Sequence, residues 1–564
     1  MLGWKCFQWS RIPDSLHSRH RTFSLPSPLP KWPPGQGFAN GRINIGELEV
    51  VKITQFEYIW DCDYKNSTVA FYKPVAIPDG FRNLGFYCES SDCSSSRGFV
   101  LVAKEVVSSS DNIRYCPALL KPLDYKLIWC SNDGHGETFN GSGCFWFPNP
   151  PEGYEAMGFV VTTTLNKPEL DEIWCVRSDL TDRCETYRLL LDTISSFSDS
   201  LFRVWEIRPS NRGMLGRGVH LGTFFCSNFG GSIGEHVNIA CLKNLNPSLQ
   251  CMPNLDQIHA MVSHYGPTFI FHPDEIYLPS SVSWFFMNGA LLYKRGELVG
   301  EPIEVAGSNL PANGTNDGAY WIDLPIDDRR EHVKRGNVES SIVYVHVKPA
   351  LGGTFTDIVF WIFCPFNGPG TLKLCNINIP LGKIGQHVCD WEHVTLRISN
   401  FTGELWNMYL SQHSGGKWVD ASNLEFIEGN KAIVYSSRNG HASFHHPGSY
   451  IQGSKKLGVG IRNDAAYSNF RVDSSVRYEI ISAGYLGNGV GFVKEPCWLL
   501  FMRKWGPKVS YSIRNKLDQI VNRLPVGIGC RLKNVAYKLP VELYGEDGPT
   551  GPKEKNNWVG DERS

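Results

Sequence analysis

The most apolar run of the chain, IVFWIFCPF at 358–366, is nine residues long and closes at Pro365 and Phe366. Nine residues fall well short of the roughly 20 that a membrane-spanning helix requires, and the proline near the end suits a buried strand. Elsewhere the apolar runs are short and broken by 55 glycines and 34 prolines, with aromatics making up 12% of the residues. Such punctuation favours a β-rich, loop-rich chain over a helical one. The expected fold class is mostly β: an N-terminal repeated β-domain plus a C-terminal β-sandwich, with a few short α-helices. No transmembrane span is expected, so any membrane contact is peripheral.

At 564 residues the chain is too long for one core of ordinary size. The divisions expected are an extended arm at 1–44, a repeated β-domain at 45–240, a helical and loop connector at 241–300, a β-sandwich at 301–540 and a polar tail at 541–564. A net charge of −1 gives no general attraction to nucleic acid. The seventeen cysteines include no CxxC pair and follow no secretory signal. They read mostly as buried or free thiols of an intracellular protein, cytosolic or at a membrane surface, rather than as a disulfide set.

The first forty residues carry Lys5, Arg11, His17, Arg19, His20 and Arg21 against the acid Asp14, and then turn proline-rich. That composition reads as a disordered arm. A plastid or other transit peptide, or a membrane-touching tip with Trp4, Phe7 and Trp9, stands as the alternative. The last twenty residues, polar and broken by Gly and Pro, read as extended.

FYKPVAIPDGFRNLGF at 71–86 and FWFPNPPEGYEAMGF at 145–159 are two copies of one pattern. Pro78-Asp79-Gly80-Phe81 aligns with Pro151-Glu152-Gly153-Tyr154, and Gly85 with Gly158. A Pro-acid-Gly turn followed by an aromatic and a close-packing glycine suits a strand-turn-strand unit passing near another backbone. Two copies imply a pseudo-symmetric β-domain. The pattern is similar to repeats of the vacuolar protein sorting-associated protein 13 type of lipid-transfer proteins, in which such units form an adaptor-binding module. Over nearly its whole length the chain resembles a plant family grouped with vacuolar protein sorting-associated protein 62. LPKWPPGQGFANGRINIGELEVVKI at 29–53, HYGPTFIFHPDEIYLPSSVSWFFMNGALLY at 264–293 and GEDGPTGPKEKNNWVGDE at 545–562 carry that match. The resemblance implies a trafficking role and names no chemistry.

NLDQIHAMVSHYG at 254–266 places Leu255, Ile258, Met261 and Val262 on one helical face, and SIRNKLDQIVNRL at 512–524 is a second amphipathic helix behind Ser512. Between them, His272, Asp274 and Glu275 form a polar group in a loop stiffened by Pro273 and Pro279.

The stretch with most chemistry is HVCDWEHVTLRI at 387–398. Side chains of equal parity share one face of a strand, so Asp390 and Glu392 point with Val394, Leu396 and Ile398. Two carboxylates then sit at the mouth of a core, where repulsion and burial would raise both pKa values and a cation would relieve both. His387 follows Gly382 and Gly385, where a loop can turn its imidazole toward the carboxylates. This donor set suits Ca²⁺, Mg²⁺, Mn²⁺ or Zn²⁺. Acids capping amides at a solvated strand start would give the same residues.

HxxDWE is similar to the GHRHDWE heptapeptide of Nep-like plant cytolysins, β-sandwich proteins with a cation site used in engaging sphingolipid headgroups. The resemblance marks His387, Asp390 and Glu392, and FWIFCPFN at 360–367 resembles that family's strand ending in an acidic ligand. Here Asn367 stands in the place of the acid and Cys389 in the place of the second histidine. His413 and His441 each follow an apolar strand and could line the site, and Trp391 and Trp418 are candidates for an aromatic rim. Turns are expected at Gly415-Gly416 and at Asn439-Gly440, the latter a hairpin signal.

The function expected is a peripheral, trafficking-related binding protein whose cation site engages an anionic lipid or glycan headgroup, or which binds a protein adaptor. The alternative is a metal-assisted hydrolase using the same site, with Glu392 or His441 as base.

Overall fold

The computed structural model describes residues 23–64, 67–91, 97–106, 116–131, 142–193, 202–228, 239–246, 248–312, 314–374, 376–454, 458–487, 491–510, 545–546 and 548–563. The aromatic tip of the N-terminal arm and the helix expected at 512–524 lie outside the described residues. The chain is mostly β, with three short helices among those residues.

The N-terminal half holds three equivalent three-stranded meanders, one more than the repeat pattern implied. Phe56–Tyr64, Ser67–Pro74 and Tyr87–Ser90 form the first, and Asp124–Cys130, Cys144–Asn149 and Val160–Thr162 the second. Thr181–Asp192, Arg203–Pro209 and Phe224–Ser227 form the third, within a larger sheet. Gly85-Phe86, Gly158-Phe159 and Thr223-Phe224 lead into the three last strands, and all three phenylalanines are buried. The third copy escapes the pattern because Thr223 replaces the glycine.

The three leading residues converge. A Cβ on Gly158 would lie 3.0 Å from the Gly85 Cα and 3.0 Å from the Thr223 Cβ, while one on Gly85 would lie 2.9 Å from the Gly158 Cα. Two backbones meet there with room for one side chain. Gly158→Val is therefore expected to destabilise by about 1–3 kcal/mol through overpacking, read as a lower urea midpoint. A wild-type midpoint would show that the backbones can part. Nearby, Cys130 and Cys144 face each other on paired strands as a disulfide, while Cys175, Cys226, Cys241, Cys251, Cys364 and Cys389 are buried thiols.

In the C-terminal half a six-stranded sheet runs in the order Gly415–Asp420, Leu405–Gln412, His387–Ser399, Phe355–Asn367, Val343–Ala350, Tyr478–Ser482. Its last pair is parallel and the others antiparallel. A smaller sheet, containing Thr268–Phe271 paired in parallel with Lys431–Ser436, packs against one face together with the helix Leu255–Tyr265. Asn254 and Gln257 cap that helix reciprocally; Ile258, Met261 and Val262 enter the core as the spacing predicts, joined by Tyr265, while Leu255 stays half-buried outside it. A second core, rich in Trp and Phe, covers the opposite face. The strand Phe355–Asn367 is buried at all 13 positions because both of its faces are covered, which is why its run at 358–366 is continuously apolar.

His387–Ser399 divides its side chains between the two cores. Val394, Leu396 and Ile398 enter the first, while His393, Thr395 and Arg397 turn to the other side. There the C-terminal segment covers them. Glu562 accepts from Thr395 and meets His393 Nε2 at 3.0 Å, and Arg397 is held by Asp357 at 2.8 Å and Asp561 at 3.1 Å. Trp558 stacks on His346 with ring centroids 3.8 Å apart. The expectation of an extended polar tail is thus corrected over 548–563: its carboxylates and tryptophan match polar groups that the sheet would otherwise bury unpaired.

Candidate functional site

A cavity of about 580 Å³ opens where the strand His387–Ser399 begins. Asn367, His387, Asp390, Glu392 and His413 all line it, although they come from three separate stretches of chain. Strand pairing explains part of this: Asn367 lies opposite His387, Cys364 opposite Asp390 and Ile362 opposite Glu392. Asp390 and Glu392 share the face of Val394, as parity requires. His387 has the opposite parity, and Cys389 turns it round. With φ at 57°, Cys389 reverses the alternation, so His387 joins the carboxylates while Val388 enters the second core.

Cys389 is one of four non-glycine residues here in the left-handed region; the others are His413 (57°), Asn439 (67°) and His441 (52°). Each such conformation costs about 1–2 kcal/mol, and their gathering at one cavity is the mark of a site that constrains its backbone. The turn expected at Gly415-Gly416 falls instead on His413-Ser414, because Gln412 pairs with Gly415. The Asn439-Gly440 pair sits within a wider loop, closed by Ser437 donating to the Ala442 carbonyl at 2.9 Å.

His441 lies beneath the cavity and is fully enclosed. Its Nδ1 is 2.9 Å from Asp390 Oδ2 and its Nε2 is 2.8 Å from the Tyr277 carbonyl oxygen. A carbonyl and an ionised carboxylate can only accept, so both ring nitrogens carry protons and the ring is an imidazolium. Burial would push its pKa down, but the Cys364 sulfur, the Asp390 hydrogen bond and Glu275 outweigh it and hold the pKa well above the usual value. Glu275, from the loop after the first helix, is itself buried and accepts from the Ile276, Tyr277 and Asn439 amides.

The two carboxylates consequently part company. Burial would raise Asp390, yet His441 and the charges of His387 and Lys555 bring it below the usual range. Glu392, which accepts from the Ser411 hydroxyl, is pushed up by burial and then by the charge of Asp390. The expectation that both would rise holds for Glu392 alone, because it left out an internal cation.

The motif resemblance implies a divalent cation here. Asp390 Oδ2 is engaged by His441, His387 Nδ1 by the Cys389 carbonyl at 2.7 Å, and Asn367 turns its amide nitrogen to the Gly385 and Gly368 carbonyls at 2.6 and 3.1 Å. Among the described residues no three His, Cys, Asp or Glu side chains form a group that could hold a metal ion. Each of these donors thus has one atom engaged within the chain.

The tryptophans lie elsewhere. Trp391 is buried in the second core against Trp498 and Trp505, and Trp418 lines a different cleft beneath Arg397. Neither forms a rim to this cavity. Residues that the sequence did not single out complete the lining: Arg438, Arg462, Asn463, Asp464 and Lys555. Arg462 and Asp464 pair at 2.8 Å, and His413 Nε2 lies 3.0 Å from Asn463 Oδ1. Alternating polar positions in a hairpin look like a solvated face until the hairpin is seen to wall a cavity.

A family model described as vacuolar protein sorting-associated protein 62 matches residues 19–562. No curated protein matches the chain. Among solved structures, GNIP1Aa from Chromobacterium piscinae is similar at 15% identity and a TM-score of 0.29, over 39% of this chain and 40% of that one. NLPPya in complex with glucosamine is similar at 10% identity and a TM-score of 0.20, over 42% of this chain and 82% of that one. Non-toxic HaNLP3 matches at 12% identity and a TM-score of 0.22, over 42% and 78% respectively. Likenesses this distant say nothing about what this cavity binds.

Proposed function

Because the chain belongs to the vacuolar protein sorting-associated protein 62 family, we propose that it is a binding protein of vacuolar sorting whose cavity takes the hydroxyl-rich headgroup of a glycan or glycolipid. The observation that supports this reading is the mixed lining. Glu392, Asp464 and the second oxygen of Asp390 offer acceptors, Arg462 and Lys555 offer donors, and the amides of Gln452 and Asn463 supply both. Sugar hydroxyls donate and accept at once, so they match a surface of this kind. The volume lies within the range of small-ligand sites. Carboxylates on the motif strand disfavour an anionic headgroup at that wall. In this reading His441 balances Asp390 from below, and no metal ion is needed.

The test is retention of the full chain on a panel of immobilised neutral, amino and acidic glycans, and on phosphatidylcholine vesicles with and without a glycosphingolipid. Binding to a subset of neutral or amino glycans is expected, with a loss of ten-fold or more in Glu392→Gln. Failure to bind any of them, or equal binding by the variant, would refute the reading. Calorimetric titration with Ca²⁺, Mg²⁺, Mn²⁺ and Zn²⁺ forms a second arm. One ion per chain, lost in Glu392→Gln, would replace direct recognition by a cation-bridged headgroup.

A further inference from the structure

A second cleft, of about 280 Å³, lies between the third meander and the six-stranded sheet, away from the motif cavity. Arg97, Arg188, Arg208, Arg212 and Arg397 line it. Arg188 pairs with Glu206, which lines the cleft together with Glu89 and Asp420, while the carboxylate partners of the other arginines sit outside the lining. Glu185 holds Arg208 at 3.0 Å and Arg212 at 2.8 Å, Asp561 holds Arg212 at 2.9 Å, and Asp357 holds Arg397. Aromatic rings fix the guanidinium planes: Arg208 lies 3.9 Å from the Tyr187 ring centroid, Arg397 4.2 Å from Trp418 and Arg97 4.5 Å from Trp406.

His220 lines the same cleft. Burial, then the charges of Arg397, Arg208 and Arg212, push its pKa down to about 4, so it is neutral at pH 7. Burial is the larger cause, and the guanidinium groups of Arg397, Arg208 and Arg212 add to it although each has an acid beside it. Preoriented guanidinium groups on low-mobility aromatic backing are suited to tetrahedral oxyanions, which accept paired hydrogen bonds from an arginine fork.

We propose that this cleft binds a phosphate group, either as a soluble phosphate compound or as the phosphate monoester of a lipid headgroup, through Arg188, Arg208 and Arg212. The proposal is independent of the glycan reading, since neither the residues nor the cavity are shared.

Titration of the full chain with inorganic phosphate and pyrophosphate, followed by calorimetry and by the His220 ring resonances, tests it. Co-sedimentation with phosphatidylcholine vesicles with and without phosphatidic acid separates the two sources. Saturable binding is expected, with a His220 shift and a ten-fold or greater loss in Arg208→Gln and Arg188→Gln. Both variants change partly exposed side chains and are expected to stay folded, to be checked by their unfolding midpoints. Co-sedimentation only with phosphatidic acid identifies the lipid as the source, and pyrophosphate binding without co-sedimentation identifies a soluble phosphate. No saturable binding of any of these probes, or binding unchanged in both variants, would overturn the proposal.

Discussion

Asp390→Ala should destabilise the protein by about 3–5 kcal/mol, the usual result of removing one partner of a buried ion pair and stranding the other. The stranded group is His441, which keeps its Tyr277 contact but loses the carboxylate that stabilises its second proton. The penalty should depend on pH. His441 has a raised folded pKa, so its contribution is fully present below its unfolded value of about 6.5 and is lost as pH rises through the folded value. Asp390 has a lowered folded pKa, so its contribution is present above its unfolded value of about 3.9 and is lost as pH falls through the folded one. Urea midpoints of wild type and variant should therefore differ most near pH 5–6 and converge as the solution becomes alkaline. A difference that does not change with pH would mean that His441 is neutral in the folded chain.

Asp357→Ala should have an effect of the same size, about 3–5 kcal/mol, far from the cavity. Arg397 is enclosed between the sheet and the C-terminal segment, and Asp357 grips it with two hydrogen bonds of 2.8 Å. Without that carboxylate Arg397 keeps only Asp561, which also serves Arg212. The C-terminal segment should loosen as a consequence, so amide exchange at 556–562 is expected to rise along with a lower unfolding midpoint. Replacing both members, as Asp357→Leu with Arg397→Met, should cost much less than the single change, because no charge is then left without its counterion. Equal losses in the single and double variants would show that packing, not charge pairing, secures the segment.

The two networks also mark how far the amino-acid order reaches. Period-two alternation in HVTLRI was enough to put Val394, Leu396 and Ile398 in a core with Asp390 and Glu392 at its mouth, since a strand has only two faces. The continuous run at 358–366 foretold a buried strand, and the Gly85 and Gly158 repeat foretold a close approach of backbones. Asn367, His387, His413 and His441 were all legible as residues of one site. Asn367 and His387 were marked by the motif resemblance; the inferences about the core and the glycines share a physical basis, since each depends on strand geometry, and strand geometry is local.

What the order of residues did not reveal depends on partners distant along the chain. His441 is an imidazolium because Asp390 and Tyr277, 51 and 164 residues away, both accept from it. His393, Thr395 and Arg397 take the polar positions of the alternation, and they are buried because Asp561 and Glu562 close over them from the far end of the chain. Trp391 seemed a rim residue and is core because Trp498 and Trp505 pack against it. Thr223 hid a third repeat, since a convergence point requires small volume in total and not glycine at every position. A side chain's charge and burial are set by what folds on top of it, and long-range contacts of that kind leave no periodicity in the sequence to be read.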